Sequence, residues 1–397
     1  MGVPKLRFKA DDGSDFPDWE GMTLGDVGSV AMCKRVFKEQ TREVGDVPFF
    51  KIGTFGGVPD AYISKSLFDE LKSKYAYPEV GTILLSASGT IGRQVEYQGE
   101  DAYYQDSNIV WLEHDDTVLD SYLKQFYSVV KWQGLEGSTI KRLYNKTILD
   151  TPFYRPSLPE QRKIADLLSA VDDVISAQEA EVAAWEKRKK GVMQKLFSQE
   201  VRFKADDGSN FPDWEEKTLG EICEQLKASI DPRNNPTKQF IEYSMPAYDN
   251  HMAAQAVLGQ SMNSARKILS APCVLINKLN VRKRRIWVVE HPEDNAVCSS
   301  EFVPLTSAEF DLRFLGYLAM TDSFTGYLLD CSSGSSNSQK RVTPDTILQY
   351  LVSLPSLPEQ RKIADCLTSL GDVIAKAKDE LYAWRELKKG LLQQMFV

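Results

Sequence analysis

The sequence predicts an α+β protein with an internal pseudo-two-fold repeat, in which two mixed helix-and-strand domains are joined by two long helices. Two repeated blocks predict this organisation. The segment Arg7–Trp19 recurs with one substitution at Arg202–Trp214, and Pro156–Asp166 recurs unchanged at Pro355–Asp365. Between these blocks the sequences of the two halves diverge. The repeated blocks therefore form a frame that is present in two copies, and the segments between them form two variable regions. This pattern favours recognition of two different objects over catalysis.

The repeats and the length together set the domain organisation. A chain of 397 residues is too long for one ordinary core. We predict a first domain over residues 1–155, a helix over 156–198, a second domain over 199–354 and a second helix over 355–397.

Composition narrows the class of protein. The net charge is −8, which argues against a stand-alone nucleic-acid binder, so a DNA contact would need local basic patches or a partner's charge. Six scattered cysteines without a CxxC spacing predict reduced thiols, and three isolated histidines give no metal site. No signal-peptide pattern or membrane-length apolar run occurs, so we expect a cytoplasmic protein that does not bind a membrane.

The second repeated block opens a helix. Ser157 and Glu160 have the spacing of a capping box, and Pro159 falls in the first turn, where its missing N–H costs nothing. Beyond the cap, apolar residues recur at alternating steps of four and three, which is a heptad seam. The seam positions are Ile164, Leu168, Val171, Ile175, Gln178, Val182, Trp185, Lys189, Val192 and Leu196, and then Ile363, Leu367, Leu370, Ile374, Ala377, Leu381, Trp384, Lys388, Leu391 and Met395.

Two seams of matching length predict an antiparallel two-helix coiled coil with a domain at each end. The coiled coil would be about 55 Å long, and this length sets an upper limit on the separation of the two domains. In the alternative interpretation each helix packs only on its own domain.

The variable halves show short β-branched and aromatic runs between turn signals, which is typical of α+β domains. Predicted strands are Val47–Ile52, Thr82–Ala87, Ile91–Tyr97, Ile109–Leu112, Cys273–Ile276, Ile286–Val289 and Glu301–Leu305, and predicted helices are Ser66–Lys74, Leu119–Val130 and Leu312–Met320.

Candidate DNA contacts lie at glycine-rich turns and basic clusters, because Lys and Arg contact phosphates and a bidentate Arg can recognise guanine. Lys141 and Arg142 have counterparts 199 residues later in Lys340 and Arg341. The alternative is that such clusters are solvated or form ion pairs with neighbouring acids. The candidates are Ser88, Thr90, Arg93, Ser138, Thr139, Lys141, Arg142, Arg282, Lys283, Arg284, Arg285, Lys340 and Arg341.

Catalytic motifs are scarce. The sequence has no Walker A motif, no GxGxxG, no HExxH and no amino-methyltransferase box. Asp60, Glu70 and Lys72 match a loose nuclease pattern that would hold magnesium, but the last two fall in a predicted helix rather than a strand.

The duplicated SLPEQRKIA at 157–165 and 356–364, with a long variable region before each copy, resembles the specificity subunit of a Type I restriction-modification enzyme. The resemblance covers essentially the whole chain, and SASGTIGR and GSTIKRLY also resemble parts of that family's target-recognition domains. It implies a non-catalytic subunit whose domains each recognise one half of a bipartite site in double-stranded DNA. It also implies that the helices act as a spacer and dock two adenine methyltransferase subunits.

The resemblance further implies that S-adenosylmethionine, ATP and magnesium belong to partner subunits, the methyltransferases and the restriction (translocase) subunits, and that this chain binds no cofactor. The helix residues assigned to spacing and docking are Glu160, Gln161, Ile164, Trp185, Glu359, Gln360, Ile363 and Trp384.

Because the two domains differ, we expect two unlike half-sites rather than a palindrome. Two other hypotheses remain at this stage: a two-headed adaptor that binds proteins without DNA specificity, and an autonomous nuclease built on Asp60, Glu70 and Lys72.

Overall fold

The computed structural model describes residues 4–132, 142–334, 336 and 339–396. The chain divides into two compact units, residues 1–179 with 379–397 (unit 1) and residues 180–378 (unit 2). Each unit holds one domain of mixed helices and strands and one half of each of two 40-residue helices. The predicted fold class and the internal repeat are therefore confirmed.

The first half of the chain contains nine strands and four α-helices among its described residues. In chain order they are β1 Glu20–Thr23, β2 Gly28–Ala31, β3 Val47–Phe50, β4 Tyr62–Ile63, α1 Lys65–Lys74, β5 Ile83–Ser86, β6 Gln94–Glu96, β7 Tyr103–Tyr104, β8 Ile109–His114, α2 Asp120–Tyr127, α3 Asn145–Leu149, β9 Pro152–Arg155 and α4 Leu158–Phe197.

The second half contains eleven strands and six α-helices among its described residues. They are β10 Glu215–Thr218, α5 Leu219–Ile222, β11 Glu224–Gln225, β12 Ser229–Ile230, β13 Gln239–Tyr243, α6 Met245–Asp249, β14 Gln255–Leu258, β15 Arg266–Ile268, β16 Cys273–Asn277, β17 Ile286–Val289, β18 Ala296–Ser299, β19 Phe302–Thr306, α7 Leu312–Ala319, α8 Asp322–Asp330, α9 Pro344–Leu348, β20 Leu351–Leu354 and α10 Leu357–Phe396.

The two domains share a sheet topology although their sequences differ. A four-stranded sheet has the order β2-β8-β5-β6 in unit 1 and β11-β19-β16-β17 in unit 2. A two-stranded ribbon, β1-β9 or β10-β20, precedes each long helix. A second sheet contains a parallel pair of strands, β3 with β7 in unit 1 and β13 with β18 in unit 2. The second sheet has three strands in unit 1 and five in unit 2.

The central strands β5 and β16 explain the position of each core. All residues of β5 and β16 are buried, as expected for strands covered on both faces. Each predicted strand and helix in the variable halves is confirmed to within a few residues at its ends, except that Ile91–Tyr97 shortens to Gln94–Glu96 because a turn occupies its first half.

In unit 1 the helix segments 158–179 and 379–396 run antiparallel. The aromatic ring of Phe396 lies 5.3 Å from that of Tyr122, and both residues belong to the domain core. Eight residues earlier on the same helix, Lys388, which breaks the heptad seam, donates a hydrogen bond to Asp172 at 2.5 Å. The seam position is therefore polar because it holds an ion pair.

In unit 2 the helix segments 180–197 and 357–378 pack in the same antiparallel way. The ring of Phe197 lies 5.2 Å from that of Phe314, and Leu196 joins the core of the second domain. The position equivalent to Lys388 is Lys189, but the residue facing it is Gly371, where a Cβ atom would lie 2.9 Å from the lysine Nζ. The ion pair of unit 1 thus has no counterpart at Gly371.

The predicted capping box is wrong. Both long helices begin one residue after the serine, with proline at the second position. Within the described residues, the hydroxyls of Ser157 and Ser356 are buried without a hydrogen-bond partner. The glutamates that would complete the boxes bond to other groups, described below. None of the described helices is both long and apolar enough to cross a membrane.

Candidate nucleic-acid interface

The predicted glycine turn of unit 1 is a closed loop between β5 and β6. Ser86, which is 1% exposed, ends β5, and its hydroxyl accepts the backbone N–H of Arg93 at 2.8 Å while donating to the carbonyl of Thr90. Gly92 has φ +77°, and a Cβ atom there would lie 2.8 Å from the indole nitrogen of Trp132. The turn therefore requires glycine and holds the exposed residues 89 and 90 on a fixed backbone.

A second segment lies beside this loop. Arg142 forms an antiparallel bridge with Ser88, and its guanidinium donates to the carbonyl of Ser107 at 2.8 Å. The Ser88 hydroxyl donates to Asn108 Oδ1 at 2.8 Å. The structure thus brings Ser88, Thr90, Arg93 and Arg142 together, whereas the candidates Ser138, Thr139 and Lys141 lie outside the described residues. Sequence reasoning missed Ser107 and Asn108, and Ser107 gave no signal because its left-handed backbone, φ 54°, is visible only in the structure.

The basic run of unit 2 occupies the equivalent loop, between β16 and β17. Asn277, which is 2% exposed, ends β16, and its Oδ1 accepts the N–H of Arg285 at 2.9 Å. Its amide also donates to the carbonyls of Leu279 and Asn280. The same closure that Ser86 makes to Arg93 is therefore made here by a different side chain.

Two of the four cations in this run hold the domain together. Arg285 is 7% exposed and donates to both carboxylate oxygens of Asp249, at 2.8 and 2.7 Å. The hydrogen bond from Arg285 is the largest cause that lowers the pKa of Asp249. Arg284 donates to the carbonyl of Met320 and to Asp322. Arg285 must therefore be corrected from a DNA contact to a structural ion pair, since burial and its two bonds to Asp249 leave it no free donor face. The side chain of Arg284 is 37% exposed, so its assignment as a DNA contact stays a prediction.

The other two cations of the run, Arg282 and Lys283, are exposed. Lys283 contributes to the low pKa of Asp249 only through its charge. Both side chains are available to an anionic ligand on this loop.

The segment that carries the repeated arginine, Arg142 or Arg341, lies next to the loop in both units. In unit 1 the N–H of Leu143 donates to the carbonyl of Ala87 at 2.8 Å, and in unit 2 the N–H of Val342 donates to the carbonyl of Lys278 at 3.0 Å. Arg341 also bridges Leu279, and its guanidinium donates to Glu301 at 2.9 Å. The half-buried Lys340 accepts the N–H of Asn280 through its carbonyl.

The two units therefore present one arrangement with different chemistry. In each, a loop that follows the central strand lies against the segment carrying the repeated arginine. The loop of unit 1 offers the hydroxyls of Ser88 and Thr90 and the exposed guanidinium of Arg93, which also donates to the carbonyl of Phe55, whereas that of unit 2 offers an exposed guanidinium and ammonium. Such sets suit different base pairs and phosphates.

Six of the eight residues assigned to spacing and docking lie inside the protein instead. Glu160 is fully buried and accepts hydrogen bonds from Arg7 at 3.0 and 2.9 Å and from the Trp19 indole at 3.0 Å. The hydrogen bond to Glu160 raises the pKa of Arg7. In unit 2, Arg202 and Trp214 bind Glu359 in the same way. These glutamates anchor the first repeated block to the second, so they cannot touch a partner.

The neighbouring glutamines are also internal. Gln161 donates to the carbonyls of Thr117 and Pro156 and accepts the N–H of Leu119, and Gln360 makes the matching bonds in unit 2. Ile164 and Ile363 are 1% exposed in the two cores. Of the eight helix residues assigned to spacing and docking, only two are half-buried rather than buried: Trp185 and Trp384.

The nuclease-like residues do not form a metal-binding group. Asp60 pairs with Lys51 at 2.8 Å, and Glu70 pairs with Lys74 on α1. Across the part of the chain that the structure describes, no three His, Cys, Asp or Glu side chains are grouped to hold a metal ion.

Comparison with known proteins agrees with this arrangement. Residues 17–184 and 212–382 match the family described as Type I restriction modification DNA specificity domain. A putative type I restriction enzyme specificity subunit of Haemophilus influenzae is 54% identical over 155 residues, which are 39% of this chain and 40% of that protein. The MjaVIII specificity subunit of a type I restriction enzyme of Methanocaldococcus jannaschii is 23% identical over 97% of this chain and 94% of its own.

Solved structures share the fold. The crystal structure of a Type-I restriction-modification system S subunit from M. genitalium superposes with a TM-score of 0.61 at 17% identity, covering 100% of this chain and 99% of that one. A structure concerning assembly and conformational transition of the type I R-M system gives a TM-score of 0.55 at 14% identity, covering 96% and 98%. At these identities the likeness shows the fold alone.

Proposed function

This chain belongs to the family of type I restriction-modification DNA specificity subunits, and we propose that its two domains recognise the two halves of an asymmetric, bipartite DNA target. The observation that carries the proposal is the pair of equivalent loops. Both loops follow the central strand, both are closed by a buried polar side chain, and both lie beside the repeated arginine segment. The loops differ in the side chain that closes them, Ser86 or Asn277, and in the side chains that they expose.

The exposed groups suggest how the half-sites differ. Arg282 and Lys283 in unit 2 match guanine edges or phosphates, because a guanidinium binds guanine O6 and N7 in a bidentate way. Ser88 and Thr90 in unit 1 carry small hydroxyls that match either donors or acceptors on a base edge. The unit 1 loop adds these hydroxyls to one exposed cation, Arg93, whereas the unit 2 loop exposes two cations. We therefore expect the contact of the unit 2 loop to depend more strongly on charge than that of the unit 1 loop.

The repeated frame supports two copies of one partner, which we propose to be the adenine methyltransferase subunit. Each unit has a surface pocket at the start of its long helix, of about 340 Å³ in unit 1 and about 440 Å³ in unit 2. The two pockets share six identical lining positions: Pro17 and Pro212, Asp18 and Asp213, Glu20 and Glu215, Pro156 and Pro355, Ser157 and Ser356, Leu158 and Leu357. They differ elsewhere, at Thr117 and Arg155 in unit 1 and at Ala308, Glu309, Leu354 and Gln360 in unit 2. One partner surface can contact the shared positions of both pockets, whereas two different partners would not need them to be the same.

The chemistry belongs to the partners in this proposal. The methyltransferase subunits would carry S-adenosylmethionine, and restriction (translocase) subunits would carry ATP and magnesium. This chain would supply sequence specificity without binding a cofactor, and, since its target is cellular DNA, it would act in the cytoplasm.

The test is to co-express the chain with the neighbouring methyltransferase gene and to map modified adenines on the host DNA. A single two-part motif with a fixed unread gap is the expected result. An intact complex that modifies no adenine would favour the protein-binding adaptor instead.

A pair of variants then locates the half-sites. The double variant Arg282→Ala with Lys283→Ala should relax one half of the motif and leave the other unchanged, with about 1–3 kcal/mol lost per base contact. The matched control removes Lys227 and Arg233, which are exposed in the same domain but outside the loop. Relaxation of both halves, or of neither, would contradict the assignment of this loop.

A further inference from the structure

We infer that unit 1 contains a second DNA contact, a groove beside the glycine turn that binds the sugar-phosphate backbone of the duplex. This inference rests on the proposed function but concerns residues that the loop does not contain. The groove has a volume of about 640 Å³ and lies between the segment 35–43, strand β3 and the chain after strand β7. Four cations line it, Arg35, Lys38, Arg42 and Lys51, together with three carboxylates, Glu43, Asp60 and Asp106.

Two of these cations already have acidic partners. Arg35 lies 3.0 Å from Asp106, and Lys51 lies 2.8 Å from Asp60. Such exposed pairs contribute little to stability, so they can reorganise around a phosphate at a small cost.

The other two cations are free to bind an anion. Within the described residues, the side chains of Lys38 and Arg42 are exposed and form no ion pair. Two unpaired cations facing one groove suit the evenly spaced negative charges of a nucleic-acid strand better than a single small anion.

Their backbone positions are fixed. Lys38 starts a 3₁₀ turn that ends at Gln40, and Gln40 Oε1 accepts the N–H of Phe37 at 2.9 Å. Arg42 exchanges two backbone hydrogen bonds with Tyr62, at 2.9 and 2.8 Å. The groove is therefore preformed, which reduces the entropy cost of binding.

The groove is continuous with the proposed recognition loop. Asn108 lines the groove, and the same side chain accepts the hydroxyl of Ser88 from the glycine turn. A strand whose bases face the loop would thus have its backbone in the groove. This continuity favours duplex DNA as the ligand over free phosphate.

Two exposed apolar side chains lie close in sequence to residues that line the groove. Phe37 is 59% exposed next to Lys38, and Val58 is 85% exposed in the chain segment that carries Asp60. Apolar side chains beside cations suit deoxyribose and base surfaces, which are themselves largely apolar. A purely ionic site would not need them.

The experiment measures DNA binding by the assembled complex as a function of salt, on a duplex with the target and on a scrambled duplex. The variant combines Lys38→Ala and Arg42→Ala, and the matched control combines Lys74→Ala and Lys146→Ala, two exposed lysines of the same unit. Each lost phosphate contact lowers the slope of log affinity against log salt by about 0.9. We expect the double variant to lose about 2 from the slope on both duplexes while the methylated motif stays the same.

A variant of opposite sign tests the same site. Asp60→Asn removes a carboxylate from the groove wall and releases Lys51, so it should raise affinity several-fold at low salt. A slope equal to that of the lysine control would overturn the groove, and a changed motif would make it a base-reading site instead. Wild-type complex without target preference would refute the proposed function alone, because the scrambled duplex still tests the groove.

Discussion

Replacing Glu160 with alanine tests the anchor that joins the two repeated blocks of unit 1. The buried carboxylate accepts two hydrogen bonds from Arg7 and one from Trp19. The substitution leaves a guanidinium and an indole N–H without their acceptor. Removing one partner of a buried ion pair costs about 3–5 kcal/mol. Because the Arg7 side chain is 20% exposed and can regain water, we expect the lower part of that range, about 3–4 kcal/mol.

The assay is thermal unfolding of the full chain combined with hydrogen exchange. For a unit of roughly 200 residues, each kcal/mol shifts Tm by about 2–4 °C, so Glu160→Ala should lower the first transition by about 6–16 °C. Exchange should accelerate over residues 6–19 and not over 201–214, and Glu359→Ala should give the reverse. Peptides from the two near-identical blocks differ in mass, since one contains Asp15 and the other Asn210.

Two further variants make the result interpretable. Glu160→Gln keeps the shape but lacks the negative charge, so it should cost less than alanine while still weakening the bonds from Arg7. Arg162→Ala changes an exposed residue two positions along the same helix and should leave Tm almost unchanged. If Glu160→Ala unfolds at the same temperature as Arg162→Ala, the anchor contributes nothing and the reasoning is wrong.

Three other predictions concern single side chains. Asn277→Ala should cost about 1–3 kcal/mol and relax only the unit 2 half of the methylated motif, because the loop loses its closure; an unchanged motif in methylation mapping would contradict this. The hydrogen bond to Asp120 is the largest cause that raises the pKa of His114 in the folded protein. The stabilisation by protonated His114 is therefore complete below about pH 6.5 and is lost as pH rises through the higher pKa of the folded state. A urea-denaturation series in which His114→Gln leaves this pH dependence of stability intact would exclude the contribution of His114. Gly371→Asp should stabilise unit 2 by roughly 0.5–1.5 kcal/mol, because aspartate has a better helix propensity than glycine and can form an ion pair with Lys189. Burial lowers the pKa of Lys189. Equal unfolding temperatures for Gly371→Ala and Gly371→Asp would show that the ion pair adds nothing.

The sequence predicted the frame well because its signals are local or duplicated. Heptad spacing depends only on the order of residues along one helix, and it predicted the seam down to the polar position Lys388. The equivalence of Arg142 and Arg341 followed from a constant offset of 199 residues, and both lie beside a loop after the central strand.

Long-range pairing is what the sequence could not predict. The local spacing of Ser157 and Glu160 indicates a capping box. The carboxylate of Glu160 instead accepts hydrogen bonds from the guanidinium of Arg7, which lies 153 residues away in the sequence. The run at 282–285 consists entirely of basic residues, yet Arg285 is buried and forms an ion pair with Asp249, which lies 36 residues earlier in the sequence. Charge partners of this kind are decided by the fold, so a basic cluster cannot be divided into structural and exposed cations beforehand.

The comparison of the two units separates what the fold must keep from what it can change. Glu160 and Glu359 make the same bonds to the same residue types, because the frame must hold the same shape twice. Ser86 and Asn277 make the same bond with different side chains, because only the backbone closure of the loop is required there. The exposed residues of the two loops carry no such shared bond and are free to differ. A protein built in this way can change its target by changing loop side chains while the shared residues of the two helix-start pockets stay the same, which is what the proposed docking of two copies of one partner requires.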